Sequence, residues 1–514
     1  MFESSVGRHT ATARITIGRC PAWAILGLLL LSGSVLRFAA LSKQSLWVDE
    51  IYSLEVAAAS VTSLLGGHAG DSHTPPLYYI VLHFWTYFGT SEFILRSFSA
   101  MCGIGAIWAT YLLADTLLGR TAALLSAALF SFSPFHIYYA QEARMYSLLV
   151  LLTVLATYCC IRAFASDAKR WWFAFVVLTV AAIYTHYYAL LVLAAENVFA
   201  LTSLRDRRRR TKWVLVQAFI ALAYLPWMVV VVHLATSAGQ VFRTHVLSII
   251  PYALFRFSAG YSLFPIDYHM KANLVEAVKT NSVLIGCVFV IFTPAMVAGV
   301  KAARHTRPTA ARILLSLLLL PGGAALAFSL LRTPMISERY LIVSAPAYLI
   351  FVALGLSQPR LAWVRTAATA LVFAVFIVSL YNYFFSPRFG KEQWRYVASY
   401  VEAQAEAGDV ILFDAGFVKS CFDYYYRGRV VRYSLPLPSR EALAQVAKQL
   451  DGHSRVWLVV SHESSAFWRD WFSARYMIRD TRVYPLETGI FLYQLHAIDG
   501  GLPSREINLT GVPV

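Results

Sequence analysis

Six residues in four separate stretches have the types that acid–base and phosphate chemistry require. Asp49 and Glu50 stand in SLWVDEIYSLEVA, Glu142 and Arg144 in SPFHIYYAQEARMYSLL, His186 in IYTHYYALL, and Arg339 in TPMISERYLIV between Glu338 and Tyr340. Each has a plainer reading when taken alone. An isolated Asp-Glu pair is most often a solvated loop feature. Glu142 and Arg144 could form a local salt bridge worth under ~1 kcal/mol if exposed. A lone His among aromatics is more often structural. An Arg at a span boundary snorkels to lipid phosphate generically, or grips one specific phosphate bidentately. Carboxylates close to hydrocarbon are expensive, however, and tend to be functional. Asp49-Glu50, flanked by Trp47, Ile51 and Tyr52, is a candidate general base. As a set, these acids and cations suit a reaction between a membrane-embedded phosphate and a nucleophile that must lose a proton. Cations would neutralise the leaving phosphate and a carboxylate would take the proton.

The elements that must position this set are membrane helices. Of the 514 residues 58% are hydrophobic and only 14% charged, against about 25% charged in a soluble protein. Runs such as Trp171 to Ala195, Trp213 to Phe242 and Ile313 to Leu331 approach or exceed the ~18 apolar residues of a spanning helix. About eleven spans are expected, near 21–41, 95–114, 121–136, 145–163, 171–188, 189–204, 213–235, 281–300, 312–331, 341–356 and 364–385. The net charge of +16 does not mark a nucleic-acid binder, because Lys and Arg fall in short blocks between apolar runs. The strongest block is RDRRRRTK at 205–212. These blocks face the cytoplasm if the N-terminus is inside, which puts 42–94, 137–144, a turn near His186, 236–280, 332–340 and everything after about 386 outside. The run Pro21 to Ala40 lacks a clear cleavage site and reads as a retained signal anchor. Most of the six Cys lie in or beside spans, and only Cys421 falls in the C-terminal domain.

The segment PPLYYIVLHFWTYFG, 75–89, is apolar but would cover only some 22 Å at 1.5 Å per residue. It reads as an interfacial helix on the outer surface, with Tyr78, Tyr79, His83 and Trp85 suited to that boundary. Beyond 386 the composition changes. KEQWRYVASYVEAQAEAGD reads as an amphipathic helix closed by Gly408, DVILFD and RVWLVVSH as buried strands, and EALAQVAKQLDG as the helix between them. This is a small α/β unit without a glycine-rich phosphate loop or a metal-spaced Cys/His set. The expected organisation is a cytoplasmic N-terminus at 1–20, a membrane domain at 21–385 and an extracytoplasmic α/β domain at 386–514.

In order along the chain, WVDE, HTPPLYYIVLHFW, SEFILRSFSA, SPFHIYYAQEARMYSLL, YTHYY and ERYLIVSAPAYL resemble the bacterial C-type (GT-C fold) membrane glycosyltransferases. These form the superfamily of protein O-mannosyltransferases and the aminoarabinose transferase of lipid A. The resemblance covers about residues 20–360. It implies an inverting transfer of a sugar from a polyprenyl-phosphate donor to a lipid, glycan or protein acceptor, on the extracytoplasmic face of a bacterial inner membrane. Asp49 matches the first-loop acid taken as the base, Glu50 is its neighbour, and Glu142 matches the acid of the second external loop. Arg144 and Arg339 become candidates for the lipid phosphate, with His186 and Tyr340 as further substrate contacts. The aminoarabinose enzymes have a lysine before Pro-Pro; here Thr74 stands there, and His73, one residue earlier, is taken as a further substrate contact. No cofactor is required, and a divalent cation between the acids is left open. The rival readings are a transporter or flippase of lipid-linked saccharide, which predicts broken helices and internal repeats, and a non-catalytic assembly subunit.

Overall fold

The computed structural model describes residues 21–68, 74–203, 206–234, 246–264, 274–331, 336–359, 361–437, 439–462, 466–486 and 489–497. His73, one of the expected contacts, lies outside them. The chain divides into two compact units. One comprises Met1–Leu41, Ser53–Leu263 and Val283–Tyr381, and the other Ser42–Tyr52, Phe264–Ser282 and Asn382–Val514.

The first unit is helical. Among the described residues six helices are long and apolar enough to cross a membrane: Glu92–Leu118, Tyr146–Ser166, Arg207–His233, Ser282–Thr306, Pro308–Leu331 and Ala362–Phe385. The pair Arg120–Phe132 and Pro134–Ala140, bent by 58°, passes the same test when taken together, and counted as one span it makes seven. Ala22–Phe38, Ala189–Ser203, Ile249–Ala259 and Tyr340–Leu356 are shorter apolar helices. The segment expected to lie at the interface forms a helix of only 9 residues, Leu77–Trp85. Its Tyr78 and Tyr79 are buried rather than turned to a boundary.

The bend has a local cause and a specific remedy. Pro134 has no N–H to offer the Phe130 carbonyl, and the Ser133 hydroxyl instead accepts from the His136 N–H, capping the second half. The carbonyls released by the break take hydrogen bonds from Arg37 of the helix Ala22–Phe38. Its Nη2 donates to Phe130 O and its Nη1 to Ser131 O, both at 3.0 Å. Arg37 is fully buried, and Nη2 also lies 3.1 Å from His136 Nδ1, which must be the acceptor because a guanidinium only donates. Just past the bent pair, Gln141 Nε2 donates to the carbonyls of Leu36, Arg37 and Ala39, which a helix end leaves without intrahelical partners. Arg37 and Gln141 thus tie the connection carrying Glu142 and Arg144 to the end of the first helix.

Elsewhere the helices meet backbone to backbone. A Cβ added at Gly299 would lie 1.9 Å from Phe351 O, and one at Gly355 1.7 Å from Ala295 O. Small residues permit this approach in membrane bundles. Gly299→Ala is expected to push the two helices apart and cost about 1–3 kcal/mol. Thermal unfolding in detergent checks this, and a wild-type midpoint would refute the close approach.

The second unit contains a five-stranded sheet of order β2-β1-β3-β5-β4. The strands are β1 Val410–Phe413, β2 Val431–Ser434, β3 Arg455–Ser461, β4 Tyr476–Tyr484 and β5 Ile490–Ala497. β1 runs parallel to β2 and β3, and β5 pairs antiparallel with both β3 and β4. β1 is buried throughout and β3 in all but its first residue, as a sheet covered on both faces requires. Val410, Leu412, Val446, Val456, Leu458, Trp468 and Phe472 form its core. The expected strands at 409–414 and 455–462 are β1 and β3. Between them the structure adds the helix Val418–Tyr425 and the strand β2 before the expected helix, Arg440–Leu450.

Candidate functional site

Four of the predicted residues converge in the first unit, all from connections between helices. Arg144 precedes the helix Tyr146–Ser166, His186 lies in the turn between Lys169–Ile183 and Ala189–Ser203, and Arg339 leads into the 3-10 turn that begins at Tyr340. Arg144 is buried; its Nη1 donates to Ser53 Oγ at 3.0 Å, and its carbonyl accepts from Ser99 Oγ at 3.1 Å. His186 packs against Tyr340, Tyr188 and Tyr146, at ring-centroid separations of 4.9, 5.5 and 6.2 Å. The Arg339 guanidinium carbon sits 5.6 Å from the Tyr340 ring centroid.

Burial, and then the guanidiniums of Arg144 and Arg339, push the His186 imidazole down to about 3. The ring is therefore neutral at physiological pH. Its Nδ1 accepts the Tyr188 N–H at 3.1 Å, which leaves the proton on Nε2. His186 is consequently a fixed neutral donor beside two permanent cations. That combination offers hydrogen bonds and charge to an anion without a proton of its own to lose.

The opposite ends of these helices carry the basic blocks. Lys212 Nζ lies 2.5 Å from Asp167 Oδ1, Arg209 donates to Phe164 O and Arg312 to Thr202 O. Within the first unit, the connections carrying Arg144 and His186 and the basic blocks thus sit at opposite ends of the helices they join.

A second cluster lies outside the residues to which the sequence points. The region 236–280 reads as a loop in sequence, yet it contains the helix Ile249–Ala259, which carries a buried arginine, Arg256. This guanidinium is sandwiched at 4.5 Å from the Tyr252 ring and 4.4 Å from the Tyr261 ring. It donates to Gly260 O at 3.0 Å and to the Tyr252 hydroxyl. Tyr261 donates to Glu338 Oε1 at 3.2 Å and shares a 2.6 Å hydrogen bond with Tyr139. Burial first, and then the Glu338 carboxylate, push the Tyr261 phenol well above its usual range, so it remains a donor. Gly260, at φ 68°, closes the helix and approaches the Pro134 backbone closely enough to exclude a side chain. A charge inside the apolar run PYALFRFSAGY was the available signal, since such a charge is costly unless used. Glu142 is buried near Tyr139, two residues before Arg144 in the same connection.

Asp49 and Glu50 belong to the second unit and occupy the first turn of the helix Val48–Ala57. Asp49 is half-buried. Glu50 does not fit the plainer reading of a solvated loop acid: it is 0% exposed, and its Oε2 lies 3.6 Å from Lys391 Nζ and accepts the Trp47 N–H at 3.4 Å. Among the described residues no group of three His, Cys, Asp or Glu side chains could hold a metal ion.

The chain has the fold of the C-type membrane glycosyltransferases. In sequence, residues 72–230 match the profile of the dolichyl-phosphate-mannose-protein mannosyltransferase family. In structure, the chain is similar to ArnT from Cupriavidus metallidurans in the apo state, with a TM-score of 0.57 and 12% identity over 92% of this chain and 98% of that one. The same protein bound to undecaprenyl phosphate gives a TM-score of 0.54 and 13% identity, with the same shares, 92% and 98%, covered. The archaeal oligosaccharyltransferase AglB from Archaeoglobus fulgidus, in complex with an inhibitory peptide and a dolichol-phosphate, gives 0.53 and 12% identity over 94% of this chain and 75% of that chain. No curated protein matches the sequence. The resemblance carried by the motifs therefore holds, over 72–230 in sequence and over nearly the whole chain in fold.

Proposed function

We propose that this protein is an inverting glycosyltransferase that moves a sugar from a polyprenyl-phosphate donor to an acceptor hydroxyl on the extracytoplasmic face of the membrane. The observation that carries this reading is the convergence of Arg144, Arg339 and a neutral, donor-oriented His186 on one end of an apolar bundle. A membrane-embedded phosphate is the ligand such a group suits, because two cations neutralise it and the imidazole adds a hydrogen bond. Arg256, with Tyr252 and Tyr261 on its faces, is a further cation available to the donor. That two of the similar structures hold a polyprenyl or dolichol phosphate agrees with this choice of ligand class.

In the reaction, Asp49 accepts the proton of the acceptor hydroxyl. The acceptor oxygen forms a bond to the anomeric carbon from the face opposite the phosphate. The bond from that carbon to the phosphate oxygen breaks, and the lipid phosphate leaves with the electron pair. Phosphate is a good leaving group, so no strong general acid is needed. Glu142 orders Arg144 or the acceptor, and Tyr340 contacts substrate. The C-terminal domain and the acceptor share one side of the membrane.

The test is transfer by the purified protein from a panel of radiolabelled polyprenyl-phosphate sugars, with the anomeric configuration of the product read by NMR. Transfer from one donor with inversion is expected. Retention of configuration, or the absence of both transfer and donor binding across the panel, would overturn the reading.

A further inference from the structure

We propose that Lys391 is a positioning residue for the reaction, and that the C-terminal domain acts in catalysis by fixing, through Lys391, the helical turn that carries Asp49. This rests on the reading of Asp49 as the base.

The segment Ser42–Tyr52 belongs to the same compact unit as the C-terminal domain, and its backbone is held there at several points. The Leu46 N–H donates to the Tyr425 hydroxyl at 2.7 Å, and the Arg395 N–H to Ser45 Oγ at 3.2 Å. Arg395 Nη2 donates to Ser42 O at 3.0 Å, and Lys43 Nζ to Phe384 O at 2.7 Å. A loop this far from the sheet in sequence has been built into the domain.

The hold on the acid turn itself is ionic and buried. With the helix beginning at Val48, Trp47 is the residue before its first turn and Glu50 the third residue in. The Glu50 carboxylate reaches back to the Trp47 N–H, the acid half of a capping box. The same oxygen takes the Lys391 ammonium at 3.6 Å, with side-chain exposures of 2% and 0%. Lys391 Nζ also lies 5.8 Å from the Trp47 ring centroid, within cation–π range. One cation thus fixes both the N-terminal residue and the third residue of the turn on which Asp49 sits between them.

Lys391 is itself anchored. Its neighbour Glu392 is buried, accepts from Trp394 Nε1 at 2.7 Å and lies 3.1 Å from His462 Nε2. His462 follows the carboxyl end of β3 in a left-handed conformation, φ 70°, which a non-glycine residue holds only where its surroundings enforce it. The path runs from the sheet through Glu392 and Lys391 to Glu50 and the Asp49 turn. A buried ion pair is a poor source of stability compared with apolar packing, but it fixes direction. Direction is what a general base needs, since a misplacement of about 1 Å can cost ~10²-fold in rate.

The experiment uses the full-length protein and the panel donor that supports transfer, with undecaprenyl phosphate as the binding probe. Lys391→Met is expected to lower kcat by roughly 10- to 100-fold while donor KM and undecaprenyl phosphate binding stay within about twofold of wild type. Lys391→Arg, which keeps the cation, should recover most of the turnover. The double variant Glu50→Gln/Lys391→Met leaves neither charge unpaired, so it should regain abundance and thermal stability without regaining kcat. It also decides the matter if Lys391→Met alone fails to fold. Wild-type kcat in a folded Lys391→Met protein, or full recovery of kcat in the double variant, would reduce Lys391 to a structural role and overturn the proposal. Normal turnover in Asp49→Asn would instead remove the base on which the proposal rests, a separate and distinguishable failure.

Discussion

Asp49→Asn is expected to lower turnover by about 10²–10⁴-fold, the range a general base contributes, with abundance and donor binding close to wild type. Asn is nearly isosteric with Asp but cannot take the acceptor's proton. The site tolerates the exchange because Asp49 is half-buried in the first turn of its helix, rather than sealed in a core. Glu50→Gln makes an instructive contrast. It leaves the Lys391 ammonium buried beside a neutral amide, and orphaning one member of such a pair typically costs about 3–5 kcal/mol. Its loss of activity should therefore come with a loss of abundance, whereas that of Asp49→Asn should not. Near-normal turnover in Asp49→Asn at normal abundance would mean that Asp49 is not the base.

The second large effect is expected at Arg339. Arg339→Lys keeps the charge but loses the planar fork that grips a phosphate with two parallel hydrogen bonds. Donor affinity should fall by about 1–3 kcal/mol, roughly 5- to 150-fold, and Arg339→Ala should lose at least as much. Both variants should express normally, because Arg339 is only half-buried and stacks near Tyr340 rather than closing a core ion pair. Titration with undecaprenyl phosphate reads the affinity directly. Unchanged binding in both variants would assign Arg339 to generic snorkelling at the lipid surface.

The parts of the fold legible in the sequence are those in which a single local pattern is sufficient. Long charge-free runs require helices, because backbone polar groups in hydrocarbon must be satisfied within the segment, and the six longest apolar helices fall on expected spans. The helix Ile249–Ala259 was hidden for the same reason: its 11 residues are too few to announce a span, and it vanished into a predicted loop together with Arg256. In the C-terminal domain the fully buried β1 and β3 were readable as short apolar runs. β2 and β4 are half-exposed and show no such run.

Read alone, the sequence yields an inventory: an apolar helical bundle, a small α/β domain, and a set of acids, arginines and a histidine in the connections between helices. Residue type and hydropathy suffice for these, because they depend on what each segment can bury. Which members of the inventory meet depends on contacts between segments distant in the chain. The fold brings Arg144, His186, Arg339 and Tyr340 together, adds Arg256 with its two tyrosine rings, and pairs Glu50 with Lys391. Glu50 and Lys391 stand far apart in the chain, and neither carries a local sign of the other. Their pairing depends on the sheet that anchors Glu392 and on the burial that makes an unpaired charge there too costly to keep.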